Sequence, residues 1–345
     1  MPLERLGEGT LVLIPGIMGS ELRESGRDAR GVPQTDVVWG EDVSHVWNSM
    51  CRFPERLTAK NLVATNVIRE IRYTRWKKEQ VYKPLLDFCC SPTGLGLNIG
   101  RNFRPFPYDW RQDLRVSAKN LGELVESLPE PVFIVAHSMG GLVTRLLLNM
   151  SLPGSSKVKG VFQIASPVAG SSKAYFTLKR QPDLGAIGRA LAHLYRTFNH
   201  RSQANLMLAL RNMPALYQLL PPLGSTILVK RGGSQISAVD AAGWLDSDQI
   251  YIRAASEVHK LLERAPPVQI KCVYSISLMT DWMYEVTEHW QIRASQPPTD
   301  GDGTVTGASA IAVSEDFQAF GGRYAEHMTL CANPDVHEEL RRFLS

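Results

Sequence analysis

The stretch Pro131 to Ala136, PVFIVA, is an unbroken apolar run that passes through His137, Ser138 and Met139 into Gly140 and a helix-forming segment ending near Met150. A strand that is apolar at every position must be covered on both faces, which is the situation of a central strand in a parallel sheet. The change of character leaves room only for a sharp turn at Ser138. Ala136 and Gly140 stand two places either side of it, where larger side chains would strike the neighbouring strand and helix. The same alternation recurs along the chain. Thr10 to Ile14 (closed by Pro15-Gly16), Val158 to Ala165 and Gln269 to Ser277 read as buried strands. Lys78 to Cys89 and Asp113 to Leu128 carry apolar stripes at helical spacing, and Asp335 to Leu344 reads as a terminal helix with Val336, Leu340 and Phe343 inward. Strands alternating with helices predict an α/β protein with a doubly wound, mostly parallel sheet.

The domain plan follows from one long connection. About a hundred residues separate the strand ending at Ala165 from the one starting at Gln269, far more than such units need. The expected core is therefore residues 1–170 and 268–345, with 31–76 as an irregular, tryptophan-bearing insertion and 171–267 as a helical cap or lid. Two amphipathic helices are expected in the cap, Ala186 to Phe198 and Gln203 to Leu220. In the second, Leu206, Met207, Leu210, Met213, Leu216 and Leu219 form a broad apolar stripe. Such a stripe either covers a site, here the Ser138 pocket, or packs on the core.

A serine hydroxyl is a poor nucleophile at neutral pH, and needs a neutral imidazole to take its proton and a carboxylate to fix that imidazole's tautomer. Ala136 to Gly140 matches the G-x-S-x-G nucleophile elbow except that alanine replaces the first glycine, and that fold orders its triad serine, acid, histidine. His45 precedes the serine, His137 adjoins it on a strand end expected to face away, and His193, His200 and His259 fall in the insertion. His327 follows the expected last strand and precedes the terminal helix, where the base belongs; His289 and His337 are the alternatives. For the acid, Thr299 to Val305 (TDGDGTV) is a glycine-rich loop with two carboxylates. Asp302, next to the return strand, is preferred to Asp300, with Asp281 and Asp316 further out. A plain surface turn is the structural alternative, and a calcium loop would need more ligands. Backbone N–H groups of Met139 and of Ile17, in the loop Pro15 to Ser20, are the candidate oxyanion donors. No cofactor and no metal enters this chemistry.

Five segments together resemble the lecithin:cholesterol acyltransferase family, which includes lysosomal phospholipase A2 and the phospholipid:diacylglycerol acyltransferases. They are Leu13 to Ser20 (LIPGIMGS), Pro107 to Arg111 (PYDWR), Ala136 to Gly141 (AHSMGG), Gly301 to Val305 (GDGTV) and His327; Ile164 to Gly170 also looks like the family's turn after a strand. The PYDWR segment is the more diagnostic, since AHSMGG occurs across many hydrolases. The resemblance implies an α/β-hydrolase fold, a Ser138, Asp302 and His327 triad, an oxyanion site at Ile17 and Met139, and acyl transfer through an acyl-Ser138 intermediate. It implies a lipid-ester substrate, with water or an alcohol as acceptor. Tyr108, Asp109, Trp110 and Arg111 are site-support candidates, although Asp109 and Arg111 can equally pair to hold a loop while Trp110 serves as core. A soluble small-ester hydrolase, or a binding protein on the same fold, is the alternative.

Bulk properties narrow the setting. With 44% hydrophobic and 21% charged residues the chain is an ordinary globule, and a formal net charge of +4 is too small and too scattered for a nucleic-acid partner. Arg72, Arg75, Lys77 and Lys78 cluster around Trp76; the plain reading is a solvated face, the functional one a contact with anionic lipid headgroups. The five cysteines show no metal-ligand spacing and are expected as buried free thiols. The first twenty residues lack the pattern of a secretory signal, and no run reaches the length of a membrane span. A cytoplasmic protein, in peripheral contact with membranes at most, is expected.

Overall fold

The computed structural model describes residues 3–27, 33–179, 200–230, 233–243, 249–287, 292–295 and 299–345. Its spine is a sheet of six strands: β1 (Thr10–Ile14), β2 (Phe103–Pro105), β3 (Val132–His137), β4 (Val158–Ile164), β5 (Ile270–Ser275) and β6 (Asp316–Phe320). Their order across the sheet is β6-β5-β4-β3-β1-β2, and every pairing is parallel. The unbroken apolar run sits where it must, with β3 between β1 and β4 and all six of its residues buried. Ile14 pairs with Ala136, and Ile164 with His137, so the ends of three strands and the loops that follow them meet at one edge. In open parallel sheets that carboxyl edge is where ligands bind.

Helices cover the sheet by burying one stripe each. In Leu114–Glu126 the buried residues include Leu114, Ala118, Leu121 and Val125, and the Asp113 carboxylate caps the helix by accepting from the Arg115 N–H. The terminal helix Pro334–Leu344 has Pro at its first turn and Asn333 as its cap, and it places Phe343 against Phe133 and Phe162. Each such large side chain taken fully from water contributes roughly 1.5–3 kcal/mol.

The structure departs from the sequence reading in four places. The segment 31–76 is more regular than expected: Ser20–Arg27 pairs antiparallel with both Pro33–Trp39 and Leu62–Val67. The first residues of the helix expected at Lys78 to Cys89 are instead a strand, Lys78–Gln80, paired with Glu70–Arg72; the helix is Lys83–Cys90, begun by Pro84 in its first turn. The helix expected over Gln203 to Leu220 is broken in two, His200–Arg211 and Pro214–Gln218, because Pro214 has no N–H to continue the ladder. Its stripe is core: Leu206, Leu210, Met213 and Leu216 are buried, and the first helix packs against Asn48–Arg52 and Pro54–Thr58. The other expected cap helix, Ala186 to Phe198, lies outside the described residues. A four-stranded sheet joins Thr226–Lys230 and Gln235–Ser237 to Tyr284–Val286 and Ile292–Ser295, so chain from both sides of residue 268 is woven together.

All five cysteines are free thiols, four of them buried. Among the described residues no helix is long and apolar enough to cross a membrane.

Candidate active site

Ser138 occupies the turn between β3 and the helix Met139–Asn149, at φ 53° and ψ −128°. That backbone conformation is sparsely populated for a residue with a side chain, and it persists only where the surroundings enforce it. The enforcement is visible at Gly140, where a Cβ would come within 2.6 Å of the Ile14 and Pro15 carbonyl oxygens. It is visible again at Gly16, where a Cβ would stand 2.8 Å from the Ser138 Cβ. The two glycines let the β1 loop close onto the serine.

Two other segments bring their side chains to the same edge. After β6 the chain delivers His327, whose Nε2 is 2.9 Å from Ser138 Oγ and whose Nδ1 is 2.7 Å from Asp302 Oδ2. Asp302 follows the strand Thr299–Gly301, which pairs antiparallel with Leu278–Thr280. Its other oxygen, Oδ1, accepts the Thr304 and Val305 N–H groups at 2.9 and 2.7 Å. Ser138, His327 and Asp302 are all buried. The competing residues lie elsewhere. Asp300 is exposed on the strand Thr299–Gly301, His337 reaches the Cys331 carbonyl, and His259 reaches the Gln218 carbonyl. His289 lies outside the described residues.

The loop Pro15 to Ser20 is held at almost every step. Tyr108 donates its hydroxyl to the Pro15 carbonyl at 2.9 Å, and its own N–H donates to Ser20 Oγ at 3.1 Å. The Trp110 indole donates to the Ser20 carbonyl at 3.1 Å, and the Trp39 indole to the Met18 carbonyl at 2.9 Å. Gly16 N–H donates to the Tyr82 hydroxyl at 2.7 Å. The Ile17 and Met139 N–H groups, by contrast, have no partner among the described residues. Arg111 forks onto both oxygens of Asp109 and adds bonds to the Leu57 and Ala59 carbonyls, so this pair fastens a neighbouring loop.

Known proteins bear on this geometry. The family model for lecithin:cholesterol acyltransferase (LCAT) matches residues 38–209. A Saccharomyces cerevisiae protein described as uncharacterized, YJR098C, is 25% identical over 175 residues, which is 46% of this chain and 23% of that protein. The chain thus matches under a quarter of the length of this relative. The crystal structure of the Tle4–Tli4 complex superposes with a TM-score of 0.62 over 97% of this chain and 98% of that one, at 16% identity. The Bacillus licheniformis lipase BlEst2 superposes with a TM-score of 0.40 at 10% identity over 98% and 92%. The chain is an LCAT-like α/β-hydrolase.

The family match spans Tyr108 to Arg111 and the Ser138 turn but ends before Asp302 and His327, which are tied to the serine by geometry alone. Two neighbours of the site escaped the sequence reading. His137 does not face away: its ring lies 4.8 Å from the His327 ring, with Nε2 3.2 Å from the His327 carbonyl oxygen. Its Nδ1 is 2.7 Å from the hydroxyl of Tyr82, which lies within the apolar stretch Lys78 to Cys89. Side-chain alternation along β3 was the available signal for His137. Nothing local announces Tyr82, which arrives across 55 residues of chain.

Proposed function

We propose that this LCAT-like protein is a serine-dependent acyl-ester hydrolase or O-acyltransferase acting on lipid esters. The observation that carries the reading is the continuous hydrogen-bonded line from Ser138 Oγ through His327 to Asp302. The Ser138 hydroxyl attacks the ester carbonyl carbon while His327 Nε2 takes its proton, and Asp302 stabilises the imidazolium and fixes its tautomer. The carbonyl oxygen, now an oxyanion, is received by the Ile17 and Met139 N–H groups, which are otherwise unused. Collapse breaks the bond to the leaving alkoxide, which takes the proton back from His327, and an acyl-Ser138 remains. Water or a second alcohol, activated by the same histidine, then removes the acyl group.

Support for a lipid substrate comes from the family and from one surface feature. Between the strands Glu70–Arg72 and Lys78–Gln80, Trp76 is 85% exposed, with Arg75 over its ring and Lys77 over that of Tyr73. An exposed indole flanked by cations suits the headgroup region of an anionic lipid surface. The buried stripe of Leu206 and Leu210 lends no such support.

The test is covalent labelling by a fluorophosphonate, followed by incubation with radiolabelled phospholipid with and without added alcohols. Labelling of wild type but not of Ser138→Ala, with release or transfer of the acyl group, supports the reading. Labelling that persists in Ser138→Ala removes it, and turnover confined to short soluble esters would replace the lipid substrate with a small one.

A further inference from the structure

His137 and Tyr82 are both buried, and neither has a place in the acyl-transfer steps. Their hydrogen bonds run in one consistent direction. The His327 carbonyl oxygen can only accept, so His137 Nε2 carries the hydrogen and Nδ1 is a bare acceptor. The Tyr82 hydroxyl therefore donates to Nδ1 and, with its remaining lone pair, accepts the Gly16 N–H. Burial, and next to it the nearby His327, holds the His137 pKa well below its ordinary 6.5. Burial likewise keeps Tyr82 a phenol. Both are neutral around pH 7, as this arrangement requires.

We infer that Tyr82 and His137 form a positioning relay that sets the oxyanion loop and the base in register with the nucleophile. The inference rests on the acyl-transfer reading of Ser138. His137 is joined to three parts of the site at once. It adjoins Ser138 through the peptide bond, grips the main chain of His327 through Nε2, and reaches the β1 loop at Gly16 through Tyr82. The His327 backbone is thus pinned on both sides, its N–H on the Asp302 carbonyl at 3.0 Å and its carbonyl on His137. Ring nitrogens held by Ser138 and Asp302 fix the imidazole's rotation, but only an anchored backbone fixes where the ring pivots. On the other arm, the Gly16 N–H bond fixes the Pro15–Gly16 peptide, one unit before the peptide that carries the Ile17 N–H, the proposed oxyanion donor. Tyr82 and His137 touch no reacting atom; they act through Gly16 and His327.

Removing the Tyr82 hydroxyl frees the Gly16 N–H and leaves His137 Nδ1 without its donor, so the ring keeps only its Nε2 anchor on the His327 carbonyl. An imidazole held at one nitrogen alone can pivot, and the His327 main chain and the Gly16 turn are then no longer tied to one another through it. Displacements of about 1 Å in such a site cost on the order of a hundredfold in rate.

The experiment compares wild type, Tyr82→Phe, His137→Leu and His137→Gln as full chains. It measures thermal midpoint, the rate of fluorophosphonate labelling, and kcat and KM on a soluble nitrophenyl ester. Tyr82→Phe and His137→Leu are expected to lower kcat and the labelling rate by about tenfold or more with KM within about twofold. His137→Gln is expected to recover most of the rate, because its amide can donate to the His327 carbonyl from near the Nε2 position. If His137→Leu does not fold, Tyr82→Phe, smaller by a single oxygen atom, decides the matter. Wild-type kcat in Tyr82→Phe overturns the relay. So does a His137→Gln no better than a folded His137→Leu, with losses that follow thermal midpoint alone. Failure of wild type itself to label would instead count against the nucleophile assignment, and the two failures are therefore distinguishable.

Discussion

Asp302 and His327 are joined twice, side chain to side chain at 2.7 Å and by the His327 N–H donating to the Asp302 carbonyl at 3.0 Å. In the proposed triad Asp302 therefore helps to set the His327 backbone as well as its tautomer. In Asp302→Asn the amide oxygen is expected to stay on the Thr304 and Val305 N–H groups, which only an acceptor can satisfy. That turns the NH2 group toward His327 Nδ1 and leaves the hydrogen on Nε2, so the imidazole can no longer accept the Ser138 proton. The variant should fold, keep its thermal midpoint within a few degrees, and lose on the order of 10⁴-fold in kcat. Exposed Asp300→Asn should stay within about threefold of wild type. The reverse order, measured on one soluble ester, would move the acid to Asp300.

His327 and His337 separate in the same way. His337 is partly buried, stacks on Phe88 at 4.6 Å and donates to the Cys331 carbonyl, with no line to Ser138. His327→Ala should remove roughly 10⁴-fold of turnover. His337→Ala should lower the thermal midpoint and leave kcat near wild type. Steady-state kinetics beside a melting curve checks both, and a selective kcat loss in His337→Ala would contradict the assignment.

The features that could be read from sequence were those written in contiguous residues. PVFIVA had to be a central strand because no other arrangement covers both of its faces, and the small residues around Ser138 specified the turn that followed. Chain order and loop chemistry pointed to Asp302 and His327, and the fold brings both side chains to Ser138. What escaped depended on distant partners. Leu206 and Leu210 show the same periodicity whether they meet a substrate or the segment Asn48–Thr58, and only the fold decides between them. Likewise Tyr82 looks like one more apolar residue until the fold sets its hydroxyl beside Gly16 and His137.

Acid should destabilise the folded chain through its buried and part-buried histidines. His137, His259 and His337 all have pKa values held below the ordinary 6.5, with burial as the first cause. As pH falls through about 6.5 the unfolded chain takes up protons that the folded chain refuses, so stability rises with pH across this window and is lost on acidification. The thermal midpoint should drop between about pH 7 and about pH 5. His259→Gln, remote from the triad, should flatten that slope. A midpoint unchanged or rising over this range would contradict the expectation.

Leu210 is fully buried in the helix His200–Arg211. Leu210→Asp removes an apolar side chain worth about 2–5 kcal/mol in such a position and introduces a carboxylate with no partner designed for it. The expected result is a large fall in thermal midpoint, or failure to fold. Any soluble fraction should lose turnover on lipid vesicles and on a soluble ester in the same proportion. Selective loss on vesicles, at a wild-type midpoint, would restore the lid reading.

The hairpin bearing Trp76 offers the sharper test of a lipid surface, because its tip can be changed without disturbing the core. Its base is tied to the site: Ile68 N–H donates to the Gly19 carbonyl on one side, and Tyr82 receives the Gly16 N–H on the other. The neighbouring cations Arg72 and Lys78 are occupied by Glu41 and Glu70, which leaves Arg75 and Lys77 beside the indole as the charges facing outward. Each cation near an anionic membrane is worth about 1 kcal/mol, so reversing two of them should shift vesicle partitioning by more than tenfold. Co-sedimentation with vesicles of phosphatidylcholine containing phosphatidylserine is the measurement. Wild type should bind these more tightly than pure phosphatidylcholine, and binding should weaken with salt. Trp76→Ala should lose affinity for both vesicle types, whereas the double change Arg75→Glu with Lys77→Glu should lose only the preference for the anionic one. Both variants should turn over a soluble ester as wild type does, since none of the three side chains is among the residues that contact the triad. Equal sedimentation of all three proteins with anionic vesicles would rule out this hairpin as the contact.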